Sequence, residues 1–511
     1  MMKAFVRKWR LLPLAGLLIT AGCGGDDSPP LAATPAPTPT PGATPSPTIT
    51  SLGATGWAST GQSTTGGNGA AASKTYTVTN RAEFIQALYG GTATIADDGG
   101  ITAGTLDSSP KIIYVRGTIS LNMNRGLREL TADDYIRDSC ASFTHGFFSE
   151  AALTAAYIAA YRPSVFGNAS VPTGVPEAAR VCAAAQQRRV VSIPISSNTS
   201  ILGLGADARI INGSLNIGPT QTAPVENIVI RNITFADAFD FFPQWDPTDS
   251  TTGRWNSAYD LISVQYARRI WIDHNSFSDG QRTDDLYPSV WTETVNGVNY
   301  TGSDFKVQHH DGLVDVTRNG DLVTISANAF ANHDKSFLIG GTDTVSATAE
   351  NPTALRVTFN DNYFLNLRQR LPRVRYGQVH VYNNLYEGSL TGTFALTNPF
   401  TIGQSGKIYA ENNLFVVPGA SVTNLAGQSI SASRTTACRT AGYSEDQCVS
   451  TFFASGTILN GTPVDLQASV LARFPAVTAT RWNPSSVYTY TVRPTDGLAT
   501  FVRSNAGAGK L

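Results

Sequence analysis

The chain has 511 residues, enough for a large core, and its 37 basic and 38 acidic residues nearly cancel. That balance excludes a general electrostatic attraction to nucleic acid or to an anionic membrane. Only 15% of residues are charged and 46 are glycine, a composition that favours an exported all-β protein over a helical one.

Lys3, Arg7, Lys8 and Arg10 precede the apolar run LLPLAGLLIT, which is too short to span a bilayer. TAGC follows, ending at Cys23, so residues 1–22 read as an export signal of lipoprotein type, with Thr20 where such signals usually carry leucine. Acylation of Cys23 would supply a lipid anchor, and the protein is expected to be secreted or held at the cell surface or outer membrane. Without Cys23 the cysteines are Cys140, Cys182, Cys438 and Cys448, an even set suited to disulfides. Proximity in sequence suggests the pairs 140–182 and 438–448.

Residues 23–50 contain SPPLAATPAPTPTPGATPSPTIT, a Pro/Thr-rich linker without apolar periodicity. The body is expected over 51–511. Segment 127–190 is Ala-rich and is the one stretch with helical spacing. Beyond it come short β-branched strands that end in asparagine: NIVIRNITF, RIWIDHNSF, LVTISANAF, RVTFNDNYF, QVHVYNNLY and KIYAENNLF. Asn232, Asn275, Asn328, Asn362, Asn384 and Asn413 recur at variable intervals, as in a coil with loop insertions. Asparagine tolerates left-handed backbone and bonds its neighbours, so stacked copies are expected to form an internal ladder. The reading is an all-β, right-handed parallel β-helix with long loop insertions and a small helical one.

Three acids stand out: Asp260 in SAYDLISV, and Asp311 and Asp315 in HHDGLVDV. In a straight strand, residues four apart sit about 13 Å from each other. Gly312 permits a bend that would bring these carboxylates together. With Asp260 they offer three hard oxygen ligands, a set suited to Ca²⁺; aspartate in a polar loop serves equally well as a turn residue. Lys335 enters an apolar strand in ANHDKSFLIGG and reads either as a site cation or as a surface lysine. In LRQRLPRVRYGQVHVYNN, Arg368, Arg370, Arg373 and Arg375 surround Pro372, and no acid occurs between Asp361 and Glu387. Pro372 breaks strict strand alternation. Together these residues would set a cation and fixed positive charges beside a groove, matching a carboxylate-bearing polyanion.

The residues resemble those of the pectate lyases of polysaccharide lyase family 1. The likeness runs through GWASTGQSTTGG, IYVRGTISL, NTSILGLGADARI, WIDH, DGLVDVTRNGDLVTIS, HDKSFLIG, QRLPRVRYGQVHVYNN and the tail NAGAGKL. It implies Ca²⁺ held by Asp260, Asp311 and Asp315, substrate bound by Lys335 and Arg375, and Arg370 as the Brønsted base. Arg373 is expected to be a substrate neighbour or structural, Arg368 structural, and Asp273 and His274 structural beside the site. Ala258 stands where some relatives carry a further acid, and 289–308 is an apparent insertion. The implied reaction is β-elimination in de-esterified pectin or polygalacturonate, endo-acting and by a monomer. Guanidinium keeps its proton at ordinary pH, so activity is expected to rise into the alkaline range. A pectin lyase acting on methyl-esterified chains would need no Ca²⁺, a glycoside hydrolase would need paired carboxylates, and a non-catalytic carbohydrate-binding β-helix would not need Arg370.

Overall fold

The computed structural model describes residues 53–137, 140–302 and 305–511. The export signal, the linker and Cys23 lie outside the described residues. Residues Ser51–Leu511 form one compact unit.

Short β-branched segments pair in parallel with their counterparts one coil later. One coil runs through Val314–Thr317, Asp321–Ser326 and Ala329–Lys335; the next through Leu338–Ile339, Val357–Asn360 and Tyr363–Gln369. The first wall carries eight strands, from Ser192–Ile195 to Ala426–Ser429, all paired in parallel. Its inward side chains stack as Val264, Val316, Ile339, Val374 and Ile402, each fully buried. Strand alternation then turns the intervening residues outward. The protein is a parallel β-helix, as its sequence grammar implied.

The asparagine ladder is present. Asn275 Nδ2 donates to Asn328 Oδ1 at 3.1 Å, Asn328 to Asn362 at 3.1 Å, Asn362 to Asn384 at 2.9 Å and Asn384 to Asn413 at 3.0 Å. Asn232 does not belong to it. Ile233 occupies that position, its backbone N–H donating to Asn275 Oδ1 at 3.0 Å, while Asn232 sits one residue earlier in left-handed backbone. Two residues past the ladder, Phe235, Phe277, Phe330, Phe364, Tyr386 and Phe415 form an internal stack with centroids 4.4–5.5 Å apart.

Segment 127–190 is helical as expected, its longest members being Glu150–Tyr161 and Val175–Val191. Helices also form where no helical spacing was read. Arg81–Leu88, capped by Asn80, buries Phe84, Ile85 and Leu88, and Leu466–Arg473 and Leu498–Asn505 lie late in the chain. The sequence signal at the first is Asn80 followed by Glu83, a capping pattern. The insertion 289–308 packs Trp291, Tyr300 and Phe305 with Tyr157, Tyr161, Trp245 and Trp255 into a satellite aromatic core. Cys438 is bonded to Cys448, and Cys182 is disulfide-bonded. The side chain of Cys140 lies outside the described residues.

Candidate active site

The site is built on one turn, repeated coil after coil ahead of the first wall. Leu261 N–H donates to Gly312 O, Leu313 N–H to Ser336 O, and Phe337 N–H to Arg370 O, at 3.0, 2.9 and 2.9 Å. Those bonds align Asp260, Gly312, Ser336 and Arg370 in one column. The adjacent column holds Tyr259, Asp311, Lys335 and Gln369, since Asp311 N–H donates to Tyr259 O and Lys335 pairs with Gln369. Leu261, Leu313, Phe337 and Leu371, all buried, anchor the turn from beneath.

Asp311 and Lys335 are neighbours in their column, with Oδ1 and Nζ 3.1 Å apart. Asp315 stands on the outward face of Val314–Thr317 and accepts Leu338 N–H at 2.9 Å. Asp260 accepts Gly312 N–H at 2.8 Å. Gly312 is needed for space: a Cβ there would stand 2.4 Å from Asp315 Oδ1 and 2.7 Å from Asp260 Oδ1.

The carboxylates oppose one another. Burial, then the charge of Asp311, pushes the Asp260 carboxyl up to about 7. Burial and the other two aspartates drive Asp315 well above the usual carboxylate range. Burial works against Asp311 as well, but Lys335 and Arg370 hold it below its ordinary value. Asp260 and Asp315, both short of positive charge, bring oxygens to the space a Gly312 Cβ would fill, with Asp311 beside them, a set of hard donors that suits a cation such as Ca²⁺.

Arg370 lies at the end of its column in left-handed backbone, after Tyr363–Gln369 and before Arg373–Val374. Its Nε is buried without a hydrogen-bond partner, and its charge acts on all three carboxylates. Arg373 shares an outward row with Leu338 and Asp315, and its Nη2 donates to Ser429 Oγ at 3.1 Å. Arg375 is more constrained than expected, pairing through Nε with Asp343 at 2.6 Å and donating from Nη1 to Gly340 O at 2.8 Å. Arg368 reaches Asp334 at 3.4 Å, in keeping with a structural role.

Two depressions meet at the Asp311–Lys335 pair. One of about 790 Å³ is lined by Asp260, Asp311, Asp315, Gln265 and Glu350. The other, about 150 Å³, is lined by Lys335, Arg368 and Arg370, with Asp249 and Arg254 from the hairpin Gln244–Asp246/Arg254–Asn256 above it. Acids outnumber cations in the first depression, which Arg188 and Arg318 also line, and cations outnumber acids in the second, which Asp334 also lines. The family model described as "Pectate lyase" matches residues 160–511.

The chain belongs to the pectate lyase family.

A pectate lyase of Bacillus subtilis (strain 168) is 36% identical over 457 residues, covering 89% of this chain and 92% of that protein. The solved pectate lyase of Acidovorax avenae subsp citrulli superposes with a TM-score of 0.89 at 56% identity, covering 91% of this chain and 96% of that one. A pectate lyase solved bound to a hexasaccharide gives 0.71 at 34% identity, covering 89% and 97%. The protein is thus a polysaccharide lyase.

Within this pectate lyase, Asp273 and His274, expected beside the site, stand instead at the end of Ala267–Asp273, which pairs with Val225–Arg231 and Asp321–Ser326 outside the first wall. Asp273 pairs with Arg231 at 2.6 Å and accepts from Ser326 at 2.6 Å; the strand Ile262–Gln265 and its own strand, Ala267–Asp273, separate it from Asp260. Sequence reasoning passed over the 244–256 hairpin and Asp343, whose partners are remote in the chain. It also passed over Ser336, which the KSF and DGL motifs would have aligned with Gly312.

Proposed function

We propose that the enzyme cleaves de-esterified pectin or polygalacturonate by calcium-dependent β-elimination at α-1,4-galacturonosyl bonds, releasing 4,5-unsaturated oligogalacturonides. The observation that carries this reading is the stacked turn, which sets three carboxylates in one depression and Lys335 and Arg370 in the next, with Asp311 and Lys335 paired between them. Asp260, Asp311 and Asp315 would hold the Ca²⁺. When bound, the ion supplies charge neutralisation for a substrate carboxylate as the adjacent C5 loses its proton.

The chain's own groups do the rest. Lys335, held by Asp311, presents its ammonium to the uronate carboxylate. Arg373, on the row of Asp315, binds a carboxylate on the same face, and Arg375 positions the neighbouring unit. Arg370, in the neutral guanidine form that alkaline pH favours, accepts the C5 proton at a guanidine nitrogen, and the C4–O bond then breaks with the leaving sugar taking the electron pair. Depressions on both sides of the Asp311–Lys335 pair favour an endo-acting enzyme, with polymer extending in two directions. The export signal read over residues 1–22 fits a polymeric substrate outside the cell and a compartment in which the Cys438–Cys448 bond persists.

Ultraviolet detection of unsaturated product from polygalacturonate, with and without EDTA, tests the reading. Product at alkaline pH with Ca²⁺, abolished by the chelator, is expected. No product under calcium-replete alkaline conditions would overturn it.

A further inference from the structure

A second cluster, outside the three-aspartate set, aims unpartnered atoms at a common point. Asp279, Asp284 and His310 are almost wholly buried, at 1%, 1% and 4% exposure, and their ligand atoms all lie within 4.8 Å of one another. Among the described residues, Asp279 Oδ2, Asp284 Oδ1 and His310 Nδ1 find no hydrogen-bond partner. Nδ1 stands 3.6 Å from Asp284 Oδ1 and 3.9 Å from Asp279 Oδ2, beyond hydrogen-bond reach. Buried polar atoms are seldom left this way.

The opposite atom of each side chain is already engaged. His310 Nε2 bonds Asp237 Oδ1 at 2.9 Å, Asp279 Oδ1 bonds His333 Nδ1 at 2.6 Å, and Asp284 Oδ2 pairs with Lys306 Nζ at 2.8 Å. Asp237 is itself paired with Arg282 at 2.8 Å. Against burial, Asp279, Asp237 and Asp284 push the His310 imidazole up to about 10, so an ion at Nδ1 would take the place of a proton there, and the outer partner at Nε2 is of the kind that orients metal ligands.

We propose that Asp279, Asp284 and His310 form a structural binding site for a divalent ion of the zinc class, separate from the three-aspartate site and independent of the lyase reading. One imidazole nitrogen with two carboxylate oxygens suits zinc-like ions better than calcium, which takes oxygen alone. Ligands about 2.0–2.2 Å from a tetrahedral ion lie roughly 3.3–3.6 Å from each other, so these atoms, within 4.8 Å of one another, would draw together around a bound ion. Lys306 and Arg282 already offset Asp284 and Asp237 from outside, so the dication would meet the two inner carboxylate oxygens. It would tie the segment after Ser276–Ser278 to the residue preceding Asp311, and so hold the start of the catalytic turn.

The test uses the exported-form chain stripped with chelator, incubated with Zn²⁺ and desalted, with metal counted by mass spectrometry. About one equivalent retained by the unaltered chain and by Asp315→Asn, but lost in Asp284→Asn, is expected. Failure of the unaltered chain to retain zinc, or equal retention in Asp284→Asn, overturns the proposal. Should Asp284→Asn fail to fold, Co²⁺ added to the unaltered chain decides. An intense visible band from a low-coordinate ion supports the site, and the weak spectrum of hydrated Co²⁺ overturns it.

Discussion

Asp260 and Arg370 hold the same position on the stacked turn, three coils apart, with only Gly312 and Ser336 between them. At about 4.8 Å per coil their backbones stand roughly 14 Å apart, and the two residues between them have short side chains. Asp260 at one end of the column and Arg370, the proposed base, at the other frame the proposed site.

Gly312 is the tightest point of that column, so Gly312→Ala is the sharpest steric test. A methyl group at 2.4 Å from Asp315 Oδ1 and 2.7 Å from Asp260 Oδ1 must push both carboxylates aside. The expected result is a folded protein whose kcat/KM falls at least ~100-fold, about 2.7 kcal/mol of transition-state stabilisation. Partial recovery at high Ca²⁺ is also expected. Wild-type calcium dependence in this variant would contradict the shared site.

Arg370 has no buried partner at Nε, and its backbone carbonyl, not its side chain, holds Phe337. Replacing the side chain should leave the turn intact. For Arg370→Lys we expect kcat to drop by about 10²–10⁴ while the dissociation constant for polygalacturonate stays within about threefold. Loss of binding in step with turnover would make Arg370 a substrate anchor instead of the base.

The Asp260 carboxyl carries a pH signature. Burial and Asp311 raise it from 3.8 to about 7, so the folded protein holds this proton more tightly than the unfolded chain does. Its contribution to stability is present below about pH 4 and disappears as pH rises through 7. Asp315 shifts in the same direction and Asp311 in the opposite one. In EDTA, Tm should therefore fall between pH 5 and pH 8 more steeply for the wild type than for Asp260→Asn. Added Ca²⁺ should restore the wild type at pH 8. Parallel profiles for the two proteins would remove the case for a cation-deficient trio.

Much of this was legible in the chain because a coil repeats its chemistry locally. DHNSF, SANAF, NDNYF, YNNLY and ENNLF each place asparagine two residues before an aromatic ring, and the ladder and the aromatic stack follow directly. Asn232 misled because it lies three residues before Phe235, where the other coils carry a left-handed turn residue. Counting back two from the ring finds Ile233. Asp260, Asp311, Asp315 and Lys335 were singled out through motifs, and the structure brings them to one turn. The column that aligns them depends on loop lengths between coils, which no local pattern encodes. The Asp343–Arg375 and His310–Asp237 contacts join residues 32 and 73 apart, so they appear only once the coils are stacked.

That misassignment supplies a test of where stability resides. Asn328 donates from Nδ2 to Asn362 Oδ1 and to Ile272 O, and its Oδ1 accepts from Asn275. All are fully buried, so Asn328→Leu strands donors and acceptors on both neighbouring coils. Each orphaned buried group costs about 1–3 kcal/mol, so a loss of roughly 3 kcal/mol or more is expected. Asn232 bonds Gly203 O and accepts from Gly509 N–H at the exposed edge, with φ at 61°. Glycine tolerates that backbone, so Asn232→Gly should cost about 1 kcal/mol or less. Chemical denaturation of the two variants at one pH measures the difference. Equal losses would mean that the asparagines act as turn formers and the ladder adds nothing of its own.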